Sequence, residues 1–493
     1  MIEPASASLP PGPITADLCV VGSGAGGAMV AYVAARAGLR VIVLEEGPEI
    51  PTAQMTQRED EMLPRLFFDG GGRTTADGAI TVLHGRGLGG STIHNTNLCK
   101  RAPAEVLDGW KLAGWSAAEL APHYAEVEVL LSVAPIEESR VNRNNALLRK
   151  GAETLGWKNG VLSHNRKGCV GSGFCELGCA FDAKQNAAKV LLPDAMQHGA
   201  RVLTECRADE ILVENGRAVG VRALRNGKLL EVRAPVCLAG SAIGSALLAR
   251  RSKLPDPSGK LGRTLRLHPG AAVAGVFDDP VEAWSGIPQS WECTELLDFS
   301  GKDPLRRTWI VPAFAHPIGL AAMMPGFGKE HMSIMRLYPR LAVLVAMLHD
   351  ESMGEVSVSG ARPKITYTVS DGDARALLHG MRGCAELLFA AGARRVIVPF
   401  ARPLELRSTA ELDRITSHTY RALDPVLAAA HPMGTLPLGS VVDERGGYKG
   451  VDQLWVADGS LFPTSIGGPP QLTIYAAAHK IGQHLTEQLK ARP

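Results

Sequence analysis

Glycines at 22, 24 and 27, an acid at 45 and a histidine at 431 are residues whose types and spacing could do chemistry. The stretch ADLCVVGSGAGGAMVAYVAARAGLRVIVLEEG, from Ala16, passes from a short apolar run through G-x-G-x-x-G into an Ala-rich segment and a second apolar run ending in Glu45. That order predicts a βαβ dinucleotide site. Gly22 makes the tight turn, Gly24 leaves room for a pyrophosphate, and Gly27 lets the helix pack on the strand. The unpaired N–H groups at the start of the Ala-rich helix are expected to hold the phosphates, and Glu45 to accept from the adenosine ribose hydroxyls. NAD and FAD both fit this stretch alone.

A second glycine-rich segment, HGRGLGGSTIHNTNLCKR from His84 to Arg101, lets the backbone approach a bound group closely at Gly89, Gly90 and Ser91. Near the other end, AAAHPMGT carries His431, and VADGSLFPT carries Asp458 and Gly459. A histidine, with an ordinary pKa of about 6.5, is able to take a proton near neutrality.

The elements that must position these groups follow from pattern. Helices are expected over Ser116 to Leu131, which opens with the capping box Ser116 and Glu119, and over Asn144 to Leu155. From Arg201 the period falls to two, with Asn215-Gly216 and Asn226-Gly227 as hairpin turns, so a β-meander is expected there. Val236 to Gly240 reads as a buried strand and Ser241 to Arg251 as a helix. Gly47 to Leu83 lacks periodicity and reads as a loop along a ligand or a lid. Strands near Leu341 to His349, Gly354 to Val358 and Lys364 to Val369, then a helix from Asp371 to Ala391, predict an α+β unit whose loose apolar segments wall a pocket. The chain closes on a strand at Leu454 to Ala457 and a helix from Thr473 to Leu489.

The 493 residues carry 52 Lys and Arg against 50 acids, a net charge of +2 that offers no basic field for nucleic acid. No apolar run approaches the roughly 20 residues of a membrane span. The first sixteen residues read as neither a secretory nor a transit signal, so a cytoplasmic location is expected. Nine cysteines without a signal fit reduced thiols.

Taken in order, VVGSGAGG with Glu45, GRGLGGSTIHN, PVCLAGSAIGS, HPMGT and VADGSLFPTSIG resemble the glucose-methanol-choline (GMC) family of FAD-dependent oxidoreductases over nearly the whole length. The cysteine loop GCVGSGFCELGCAFDAK looks most like the branch of long-chain fatty alcohol oxidases and bacterial alcohol dehydrogenases. The resemblance implies an α/β fold: a Rossmann-type FAD-binding domain assembled from discontinuous segments, plus an α+β substrate-binding domain with an antiparallel sheet. The expected division is 14–110, 189–274 and 425–493 for the FAD-binding domain, 111–188 for a helical and cysteine-loop insertion, and 275–424 for the substrate-binding domain.

By the same resemblance FAD is held by Gly22, Gly24, Ala25, Gly27 and Glu45 at its ADP half. Gly89, Gly90, Ser91, His94 and Asn95 lie on the isoalloxazine side. Ala239 and Gly240 belong to the second flavin-domain strand, and Asp458 and Gly459 contact the diphosphate and ribityl region. His431 aligns with the family's catalytic base for oxidising an alcohol, with molecular oxygen or an electron carrier as acceptor. One departure stands out: the family's second polar residue, His or Asn, falls on Pro469, which has no side-chain donor or acceptor. Gln471, two residues on, is the candidate replacement. Pro469 leaves open lyase or decarboxylase-like chemistry on the same flavin fold, or a flavin-binding electron-transfer protein. Cys169, Cys175 and Cys179 lack the C-x2-C pairs usual in clusters and zinc sites, so they are expected to be structural thiols with no metal.

Overall fold

Leu18–Val21 and Val41–Leu44, the two apolar runs around the glycine turn, are neighbouring strands of a six-stranded parallel sheet. Its order is Ile2–Glu3, Arg201–Leu203, Val41–Leu44, Leu18–Val21, Val236–Leu238, Leu454–Val456. Every residue of the two runs is buried, as expected of strands covered on both faces. The computed structural model describes residues 2–4, 12–313, 316–324, 326–360 and 362–491. Residues 1 and 5–11, part of the N-terminal stretch read above as lacking a targeting signal, lie outside the described residues.

Strand order reverses at Leu18–Val21, and the crevice beyond the carboxyl ends of such strands is where open α/β sheets bind ligands. The Ala25–Arg36 helix starts there. It packs closely on the final helix, Gln471–Lys490, because a side chain at Gly482 would press on Val33, its Cβ lying 3.3 Å from that of Val33. The meander is present as Cys206–Glu214, Arg217–Arg225 and Lys228–Arg233, antiparallel throughout. Both hairpin turns have the positive φ their Asn-Gly pairs supply: 51° and 75° at Asn215 and Gly216, 51° and 70° at Asn226 and Gly227.

The second large sheet has nine strands, built around Gly270–Val276, Leu341–Leu348 and Thr308–Pro312 in antiparallel register. It also recruits Asn159–Val161 at one edge, and Leu427–Ala429 paired with Ile80–Val82. The Asp371–Ala390 helix covers it, capped by Ser370 and brought close by Gly380 and Gly383, which face Thr308 and Leu296. Gly354–Ser359 and Arg362–Tyr367 form a separate hairpin.

The stretch from Gly47 to Leu83, expected as loop, contains the helix Glu59–Leu66 and the strand Ile80–Val82. Tertiary packing explains the difference. Met62 and Leu66 bury with Phe67, Ile93 and Leu177, a cluster whose members are scattered along the sequence, and Pro64 inside the helix masks its pattern. Among the described residues no helix is long and apolar enough to cross a membrane.

Candidate active site

The fingerprint glycines divide by what surrounds them. Gly22 has φ +100°, and a Cβ there would lie 2.4 Å from Ala239 O. A Cβ on Gly27 would lie 1.9 Å from Gly22 O, and one on Gly26 would lie 1.7 Å from Ala457 O, so both glycines seat the helix on the sheet. At Gly24 the nearest protein atom to such a Cβ is Gly90 Cα at 3.9 Å. This open position coincides with a helix N-terminus that has no side-chain cap, leaving N–H groups for an anion.

Glu45 closes the adjacent wall. Its Oε2 accepts from Ser23 Oγ at 2.6 Å and Ser23 N at 3.2 Å, and its Oε1 accepts from Gly47 N at 2.7 Å. Burial raises its pKa above the usual carboxylate value, and these donors oppose that rise. Ser23 Oγ in turn accepts from Gly89 N at 3.0 Å, which ties the second glycine loop to the first. Gly89 and Gly90 are left-handed, with φ +94° and +54°, and Gly90 packs against Gly24. Ser91 is exposed and accepts from Gly85 N.

His94 lies buried against Phe67, ring centroids 3.9 Å apart, and burial pushes its pKa down to about 3. Asn95 bridges to the far end of the chain, donating from Nδ2 to Gln471 Oε1 at 2.5 Å. Gln471 is otherwise engaged by its amide, which donates to Leu98 O, Cys99 Sγ and Asn165 Oδ1.

The third wall comes from the two far strands. Ala239 donates its N–H to Val21 O, and Gly240 caps the helix Ser241–Arg251. Ser245 Oγ accepts from Gly240 N at 3.0 Å and donates to Asp458 Oδ2 at 2.6 Å, while Asp458 Oδ1 accepts from Ser460 N. Asp458 is buried, and desolvation raises its pKa. These contacts bring Gly22, Gly24, Gly27, Glu45, Gly89, Gly90, Ala239, Gly240 and Asp458 together from four parts of the chain.

His431 follows the Leu427–Ala429 strand, and its segment is laced to the Asp458 turn: Gly434 N donates to Gly459 O at 3.0 Å and Leu436 N to Ser460 O at 2.9 Å. Its ring is partly accessible, yet desolvation lowers its pKa to about 4, so it is neutral near pH 7. Arg266 and Met433 exchange backbone hydrogen bonds in antiparallel register, which places His268 opposite His431. Their Nδ1 atoms lie 3.4 Å apart. Pro469 is buried, and Asp350 anchors the His268 segment, accepting from Leu267 N, His268 N, Tyr367 OH and Ser465 Oγ.

Sequence reasoning missed Ser23, Gly26, His268 and Asp350. Gly26 had a signal in the doubled glycine of GAGG. His268 and Asp350 had none: His268 meets His431 and Gly467, 163 and 199 residues on, and Asp350 meets Leu267 and His268, 83 and 82 residues back. Cys169, Cys175 and Cys179 are free thiols around a small cavity with Arg166 and Asn97, and among the described residues no His, Cys, Asp and Glu group of three or more is placed to hold a metal. A larger cavity, about 250 Å³, is lined by Gln57, Glu59, Phe174, Trp284, His316, Pro317 and Tyr338.

Residues 63–270 match the N-terminal and residues 350–478 the C-terminal model of the GMC oxidoreductases, and residues 20–84 match an NAD(P)-binding Rossmann-like domain. An uncharacterized GMC-type oxidoreductase of Mycobacterium tuberculosis is 36% identical over 480 residues, covering 94% of this chain and 74% of its own. A long-chain-alcohol oxidase of Arabidopsis thaliana is 28% identical over 520 residues, covering 97% and 68%. Among solved structures, pyridoxine 4-oxidase from Mesorbium loti has a TM-score of 0.72 at 18% identity, covering 95% of this chain and 98% of that one. Formate oxidase from Aspergillus oryzae has 0.75 at 16%, covering 98% and 100%. The open cradle at Gly24, the uncapped helix and the Glu45 carboxylate fit the ADP half of the family's cofactor. This chain is a member of the GMC oxidoreductase family, an oxidoreductase whose cofactor is FAD.

Proposed function

We propose that the enzyme oxidises an apolar alcohol, long-chain, cyclic or aryl, to the aldehyde or ketone, with His431 as general base. The observation that supports this reading is the backbone lacing of the His431 segment to the Asp458–Leu461 turn, which ties a neutral histidine to residues expected to meet the flavin. Bound FAD supplies the hydride acceptor. The chain's own groups do the rest. Gly22, Gly24, Ala25, Gly27 and Glu45 hold the ADP half; Gly89, Gly90, Ser91, His94 and Asn95 border the isoalloxazine; Ala239, Gly240, Asp458 and Gly459 meet the diphosphate and ribityl region. His431 takes the hydroxyl proton, a role worth about 10² to 10⁴ in rate.

Gln471 serves the reaction through Asn95, whose side chain it holds. The substrate class is supported by the likeness to the Arabidopsis long-chain-alcohol oxidase. Molecular oxygen or an electron carrier then takes the electrons.

Pro469 favours a second reading, lyase or decarboxylase-like chemistry on the same flavin fold. Anaerobic mixing with a panel of alcohols separates the two, since alcohol oxidation bleaches the flavin band and non-oxidative turnover leaves it intact.

A further inference from the structure

His268 touches His431 on one side and Gly467 on the other, and the second contact fixes what the first can be. Gly467 N donates to His268 Nε2 at 3.1 Å. A backbone N–H is always a donor, so Nε2 of His268 must hold its lone pair. Burial, with the neighbouring His431 and His349 rings, holds the His268 pKa well below its ordinary value, so the ring is neutral and its single proton sits on Nδ1. That Nδ1–H faces His431 Nδ1 at 3.4 Å, and only one proton fits between the two nitrogens. His431 Nδ1 is therefore the acceptor, and the proton of neutral His431 sits on Nε2.

We infer that His268, clamped by Gly467, is a tautomer lock on His431: the resting enzyme presents an Nε2–H to a bound oxygen, and the base is armed only when the Gly467–His268 bond is released. The inference rests on His431 being the base. In the armed form the shared proton belongs to His431 Nδ1, His431 Nε2 has lost its proton to water, and His268 Nε2 has gained one from water, so charge is unchanged. An Nε2–H on His268 cannot share its line with the Gly467 N–H, so arming requires that peptide to turn.

The surroundings suit such a device. Gly467 has φ +70°, and a Cβ there would strike the Phe299 ring at 2.3 Å, so its conformation is reserved for glycine. Asp350 holds the backbone of His268 and the side chain of Ser465, two residues before Gly467, fixing both ends of the contact. His268 gives His431 a polar neighbour, which Pro469, without a side-chain donor or acceptor, cannot be. It acts as a positioning residue.

The test is the ¹⁵N spectrum of histidine-labelled, FAD-loaded protein, with His431 and His268 signals identified by their loss in H431A and H268N. The expected result is an N–H-type Nε2 and an acceptor-type Nδ1 on His431, with an N–H-type Nδ1 on His268. An asparagine amide ends where His268 Nδ1 ends and cannot reach Gly467, so in H268N the His431 Nδ1 shifts toward the N–H type as both tautomers become populated. A wild-type His431 protonated at Nδ1, or a His431 spectrum that H268N leaves unchanged, overturns the lock. The spectrum is read without turnover, so it stands apart from whether His431 is the base, which flavin reduction in H431A decides.

Discussion

Asn95 and Gln471, 376 residues apart in the chain, are joined by an N–H···O bond of 2.5 Å that ties the second glycine-rich loop to the start of the last helix. Gln471 is 8% exposed and also donates to Leu98 O and Asn165 Oδ1. Replacing it by Leu strands these buried partners, at about 1–3 kcal/mol for each unsatisfied group. Q471L should therefore unfold at lower urea and release FAD more readily than wild type. A variant of undiminished stability and FAD content would detach Gln471 from the loop.

Gly24 and Gly27 should respond to alanine in opposite ways. Gly24 has open space around it, whereas a Cβ on Gly27 meets Gly22 O at 1.9 Å. G24A should fold with wild-type stability and bind FAD at least about tenfold more weakly. G27A should lose about 1–3 kcal/mol of stability through overpacking. Urea unfolding of the apoproteins and flavin titration measure the two effects separately.

Much of this was legible in the sequence, and the boundary has a physical basis. Gly22, Gly24, Gly27 and Glu45 announce themselves because their spacing falls within one βαβ unit, although Gly22 also meets Ala239 and Gly24 faces Gly90. The meander was readable because Asn215-Gly216 and Asn226-Gly227 state their turn type. The Glu59–Leu66 helix was hidden because its apolar partners, Ile93 and Leu177, are distant in sequence. His268 was hidden for the same reason: only the register pairing Arg266 with Met433 brings it to His431.

Lys184 is a buried lysine whose ammonium donates to the backbone carbonyls of Ile93, Asn95 and Cys175, joining the second glycine-rich loop to the cysteine loop. Methionine fills similar volume and donates nothing. K184M should cost about 2–4 kcal/mol in urea unfolding and reduce bound flavin. Stability equal to wild type would show that the three carbonyls find water.

Stability should depend on pH through buried histidines. Burial pushes the pKa values of His84, His94 and His164 down to about 3, and those of His349 and His431 to about 4. Unfolded, each returns to about 6.5. Between those values the unfolded chain binds more protons, so stability is full above about pH 6.5 and falls as the pH drops toward 4, by up to about 1.4 kcal/mol per pH unit for each histidine. Urea midpoints measured from pH 7.5 to 5 should decline steeply. A flat profile would mean these rings accept protons in the folded state.

The most direct measurement is anaerobic stopped-flow mixing of the FAD-loaded enzyme with long-chain, cyclic and aryl alcohols, followed at the flavin band, for wild type and H431A. Wild type should bleach with at least one of them, and H431A should bleach about 10² to 10⁴ times more slowly while retaining its FAD. Bleaching at the wild-type rate in H431A would contradict His431 as the base, and no bleaching of the wild type by any alcohol would contradict alcohol oxidation itself.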